Sequence, residues 1–128
     1  MSLRDDVVLR VIHQLVEALL RAAGLRRKQE LPAAEAAIGE GLSGLGLSLD
    51  VITRLDAASL AAVLGDPAKR ALVGAALLEL ARVRADQGDL GAAAVLRTTS
   101  SYLLEGISVP EELSTVLSPT AEDARMGW

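Results

Sequence analysis

Leu77-Leu78-Glu79-Leu80-Ala81-Arg82-Val83-Arg84-Ala85-Asp86-Gln87-Gly88-Asp89-Leu90-Gly91-Ala92-Ala93-Ala94-Val95-Leu96 reads as helix, tight turn, helix. Leucine and alanine are strong helix formers, and Gln87-Gly88-Asp89 supplies the break between the two runs. Two helices joined by so short a turn close into an antiparallel hairpin. Such a unit packs and presents surface more readily than it performs chemistry.

The rest of the chain agrees with that stretch. Of 128 residues, 24 are Leu and 22 Ala, while Phe is absent and Tyr and Trp occur once each. Strand-favouring aromatic and β-branched residues are scarce, so the expected fold is all-α. The length suits one domain that buries a single core without disulfide or metal support. With no cysteine there is no thiolate chemistry, a composition that suits a reducing cytoplasm. Charges interrupt every apolar segment before a 20-residue span, and the first ten residues lack a signal-peptide layout, so no membrane span or leader is expected. The net charge of −4 divides into −1 over residues 1–65 and −3 over 66–128. A nucleic-acid partner needs a basic face, and this balance argues against one.

Outward from the hairpin, Asp66-Pro67 reads as a cap followed by proline in the first turn, opening a helix over 67–87. Its segment 71–83 is apolar nearly all round and leaves a narrow polar strip through Glu79, Arg82 and Asp86. A helix of that kind is central or faces a second subunit, so a homodimer is expected. The following helix covers about 90–106, and a short one falls within 110–117. Residues 118–128 are expected to form a flexible tail, with Trp128 disordered and residues 1–117 as the single helical domain.

Upstream, the spacing of Val8, Val11, Ile12, Leu15, Leu19 and Ala22 predicts an amphipathic helix over 4–23, extendable to Lys28. A second helix begins near Pro32 and dissolves around Gly44 and Gly46. Between 46 and 66, Asp50 is expected to cap 51–55 and Asp56 to cap 57–64.

The 77–100 stretch resembles the tetratricopeptide repeat family. Leu77, Leu80 and Ala81 stand at its packing positions in the first helix, Gly88 at its turn glycine, and Ala93 and Ser100 at the small positions of the second. Arg84 and Arg97 depart from the pattern, standing where the family places aromatics, and no proline ends the unit. A weaker copy lies 59 residues earlier, with Ala18, Ala22, Leu25, Gln29, Ala34, Ile38 and Gly41 in the places of Leu77, Ala81, Arg84, Gly88, Ala93, Arg97 and Ser100. That offset exceeds a contiguous 34-residue repeat, so the 46–66 segment reads as an insertion between two hairpins. The whole chain also resembles a family of small uncharacterised bacterial proteins with a tetratricopeptide-like second half. The resemblance implies two antiparallel helical hairpins with right-handed packing, and it implies no activity.

Four constellations carry less than they suggest. Gly39-Glu40-Gly41-Leu42-Ser43-Gly44 spells GxGxxG without the preceding strand a dinucleotide site needs, and reads instead as small residues at a close helix contact. His13 and Glu17 share a helix face, but too few further ligands exist for a transition-metal site. Arg26-Arg27-Lys28, the one basic run, is expected to be solvated at the turn of the first hairpin. Thr98-Thr99-Ser100-Ser101 reads as hydroxyls bonding back to helix carbonyls, with no base to activate one.

The function expected is therefore a non-enzymatic protein or peptide interaction module, homodimeric and cytoplasmic, with no cofactor, no metal and no nucleic-acid or membrane partner. The alternatives are a purely structural oligomer or a small-ligand-binding regulator. Glu79, Arg82 and Asp86 are expected to line the presented surface, with Arg26 and Arg27 second.

Overall fold

In the computed structural model, residues 3–120, 123, 124 and 128 are described, the side chains of 3–6 and 8 excepted, so the place of Val8 in the first apolar stripe lies outside what is described. The fold is all-helical: α1 Leu3–Arg27, α2 Leu31–Ser43, α3 Leu49–Ile52, α4 Ala57–Leu64, α5 Pro67–Asp86, α6 Leu90–Leu104 and α7 Ser114–Leu117, the last entered through a 3-10 turn at Glu111–Leu113. No strand occurs among the described residues. No helix among them is long and apolar enough to cross a membrane.

Local chemistry sets the boundaries. Asp66 accepts from the amide of Ala68 at 2.7 Å with Pro67 in the first turn, and Asp56 accepts from the amide of Ser59 at 2.7 Å. Asp89 starts α6 in the same way, accepting from Ala92 at 3.1 Å. Asp50 is not a cap. Ser48 accepts from the amide of Val51 and starts α3 two residues earlier, which leaves Asp50 inside the first turn, paired with Arg54 at 3.0 Å.

Helices α5 and α6 run in opposite senses, as their paired residues show. The Ser100 hydroxyl donates to the Gly74 carbonyl at 2.6 Å, and Arg70 reaches the carbonyl of Tyr102. A Cβ on Gly74 would stand 2.9 Å from Leu104 Cγ, so the glycine sets how closely α6 approaches. Helices α1 and α2 are likewise opposed, with Gly41 lying where a Cβ would meet Ala18 and Leu15 at 2.8 Å. The middle glycine of GxGxxG is thus a helix contact.

The 59-residue offset reappears in the backbone bonds. Glu30 N–H donates to Leu25 O and Gln29 N–H to Arg26 O; Asp89 N–H donates to Arg84 O and Gly88 N–H to Ala85 O. Both helices end in the same 6→1 closure, which needs one left-handed residue. Gly88 supplies it with φ 83°, and Gln29, the one described non-glycine with positive φ, supplies it with φ 61°.

Helix α5 lies at the centre of the core, buried from Ala71 to Val83 except at Leu78, with α1, α2, α4, α6 and α7 packed against it. The all-round apolar character that suggested a second subunit is therefore accounted for within one chain.

Candidate functional site

The polar strip of α5 does not face solvent. Glu79 is 1% exposed and Arg82 4%, and Arg26, the last turn of α1, is 1% exposed. Arg26 Nε donates to Glu79 Oε1 at 2.8 Å, and Arg26 Nη1 lies 3.9 Å from Asp86, which is half-buried. Arg82 Nη1 stands 3.6 Å from Glu79 Oε2. Four of the five residues expected on a presented surface are thus the members of one buried charge network, and Arg27 alone of the five is exposed. The strip looked solvated because its counter-charges lie 53 and 41 residues away in the chain, at Arg26 and Asp123.

Asp123 completes the network. Its carboxylate accepts from Arg82 Nε at 3.1 Å and from Nη2 at 2.8 Å, while the same guanidinium donates to the carbonyls of Val116 and Ser118. Thr120 and Asp123 cap one another reciprocally, the Thr120 amide donating to Asp123 Oδ2 and the Asp123 amide to Thr120 Oγ1. The Trp128 amide donates to the Asp123 carbonyl at 2.9 Å, and the Arg97 guanidinium lies 5.3 Å from the indole centroid. The described part of 118–128 is therefore docked, contrary to the flexible tail and disordered Trp128 expected; residues 121, 122 and 125–127 lie outside the described set. Thr120-Ala121-Glu122-Asp123 has the spacing of a capping box, the one signal in the sequence that pointed to this ordering.

Burial pushes the Glu79 carboxyl up against the pull of Arg26 and Arg82, and burial prevails, with Oε2 left without a hydrogen bond. For Asp123 burial also pushes upward, but the bonds from Arg82 and Thr120 outweigh it and hold the carboxyl below the ordinary aspartate range. The arrangement is a structural lock. In the hydroxyl run on α6, Ser100 donates to the carbonyl of Gly74, Thr98 to that of Ala94 and Thr99 to that of Val95.

A groove of about 510 Å³ opens to solvent with α5 as its floor, α2 and α3 on one side and α6 on the other. Leu49, Leu80, Ala92, Val95 and Leu96 give it apolar walls, and Glu35 and Arg84 form an ion pair across it from α2 to α5. Val95 is 66% exposed at its lip. Arg84 lies in the groove, and Arg97 lies against the Trp128 ring. Among the described residues no group of three or more His, Asp or Glu side chains converges to hold a metal ion, and both His13 and Glu17 are exposed.

Comparison with family models, with curated proteins and with solved structures finds no match to this chain.

Proposed function

We propose that the chain is a non-enzymatic interaction module of tetratricopeptide-like build that takes a segment of a protein partner into the groove between α2–α3 and α6. The observation that carries this reading is the exposed apolar lip at Val95 above a floor that includes Leu80. An apolar side chain placed there removes Val95 from water, worth roughly 25 cal/mol per Å² of surface covered. The Glu35–Arg84 pair and Asp50 give the walls a polar pattern that selects among apolar segments. The matched turns and close approaches 59 residues apart support the tetratricopeptide-like build.

The test is affinity capture from the native cell with the wild-type chain and Val95→Asp. Because Val95 is exposed, the substitution leaves folding within about 0.5 kcal/mol of wild type. A partner held by wild type and lost by Val95→Asp is the expected result. Identical captures, or none, remove the groove from consideration.

A further inference from the structure

Helix α1 carries two apolar stripes. The first, through Ile12, Leu15, Leu19 and Ala22, is buried against the rest of the chain. The second runs through Leu9, His13, Val16 and Leu20, spaced by four, three and four residues. That is the spacing of the seam of a two-helix coiled coil. Leu9 is 37% exposed and Leu20 42%; His13 is exposed, and Val16 is half-buried where it also touches the core. None of the four lines the groove between α2–α3 and α6. On the outer flank of the seam, directly after Leu9 and Val16, stand Arg10 and Glu17, both exposed. On the inner flank stand Ile12 and Leu19, buried in the chain's own core.

We propose that the second stripe is an interface with α1 of a second copy of the chain, laid antiparallel. The charges choose the occupant. With Leu9 opposite Leu20 of the second copy and His13 opposite its Val16, Arg10 comes beside Glu17 of the second copy, and the two-fold axis repeats the pair. Sliding by one heptad in either direction sets Arg10 against Arg10 or Glu17 against Glu17. A parallel pair would stack His13 on His13 and set Glu17 beside Ile12, without a counter-charge. Of these arrangements the first alone pairs both charges, so the stripe is complementary to itself. Two heptads are too few to hold free peptides together, but α1 is already folded against α2 and α5, and association does not bear the cost of forming the helix. The seam is roughly 18 Å long at about 1.5 Å per residue, less than a standard interface needs, so the dimer depends on concentration.

The chain has no cysteine, so introduced ones report the contact cleanly. Under mild oxidation a mixture of Leu9→Cys and Leu20→Cys chains is expected to form a disulfide between the two variants, and neither variant alone is expected to cross-link. Sedimentation of the wild type at rising concentration is expected to show a species of twice the 13.3 kDa chain mass. Arg10→Glu is expected to raise the dissociation constant about tenfold, and Arg10→Glu with Glu17→Arg to restore it. The two positions lie two turns apart on one helix, beyond the spacing at which side chains of one helix pair, so restoration reports contact between copies. All four substituted residues are exposed, and unchanged circular dichroism checks that each variant folds. Cross-linking of Leu9→Cys with itself overturns the proposal. So does a double swap no tighter than Arg10→Glu alone, or a wild type that is monomeric at every concentration.

Discussion

The α1–α2 and α5–α6 hairpins close the same turn with different residues and hide the same kind of contact behind different small side chains. Gly88 is at ease in the left-handed conformation that Gln29 is made to adopt. Gly41 brings α2 onto α1 from the second helix of its pair, whereas Gly74 brings α6 onto α5 from the first. The lesson is that the geometry of the unit is conserved within the chain while its outer chemistry is free to change. Ile38 and Leu42 send one hairpin inward; Arg97 and Ser101 turn the other outward.

The hairpins meet at a point where substitution is expected to do most harm. Glu79→Ala leaves Arg26 and Arg82 buried without their shared counter-charge and is expected to destabilise by about 3–5 kcal/mol in denaturant unfolding. A loss below 1 kcal/mol would mean the network is solvated. Next in size, Gly41→Ala and Gly74→Ala each force a Cβ into contacts under 3.0 Å. Each is expected to lose about 1–3 kcal/mol by overpacking, and a marked difference between them would break the equivalence of the two contacts. The turns sharpen it further. Gln29→Gly is expected to stabilise, and Gly88→Ala to destabilise, each by about 1 kcal/mol.

The effect of pH separates the core of the network from its outer end. Asp123 has its carboxyl held low in the folded chain, so its contribution is fully present above its ordinary range and is lost as pH falls through and below it. Trp128 emission, the chain's only indole signal, is expected to shift toward that of a solvent-exposed indole below about pH 4. Glu79 has the opposite sign: its carboxyl is held high, so protonation relieves a burial penalty that exists at neutral pH. Acid is therefore expected to release the tail before the helices lose their circular dichroism signal, and simultaneous loss would contradict the separation.

How much of this was legible depended on the range of the interaction. Asp56, Asp66-Pro67 and the Gln87-Gly88-Asp89 turn act within four residues, and each reads correctly from its neighbours. The 59-residue offset was visible because Gln29 and Gly41 stand in register with Gly88 and Ser100. Glu79, Arg82 and Asp86 were misread because a polar strip on a helix looks the same whether water or Arg26 faces it. The partners came from α1 and from beyond α7, and no local pattern joins them. Trp128 was misplaced for the same reason, since its stacking partner, Arg97, lies on the preceding long helix. The groove, assembled from four helices, has no signature in any one of them.

The central claim is that the hairpins form one cooperative unit through the buried Arg26–Glu79 contact. A double-mutant cycle on unfolding free energy, with Arg26→Ala, Glu79→Ala and both together, measures it directly. The predicted result is a non-additivity of about 1–3 kcal/mol in a single unfolding transition, the double variant losing less than the sum of the singles. Additive losses, or two separate transitions, would contradict it.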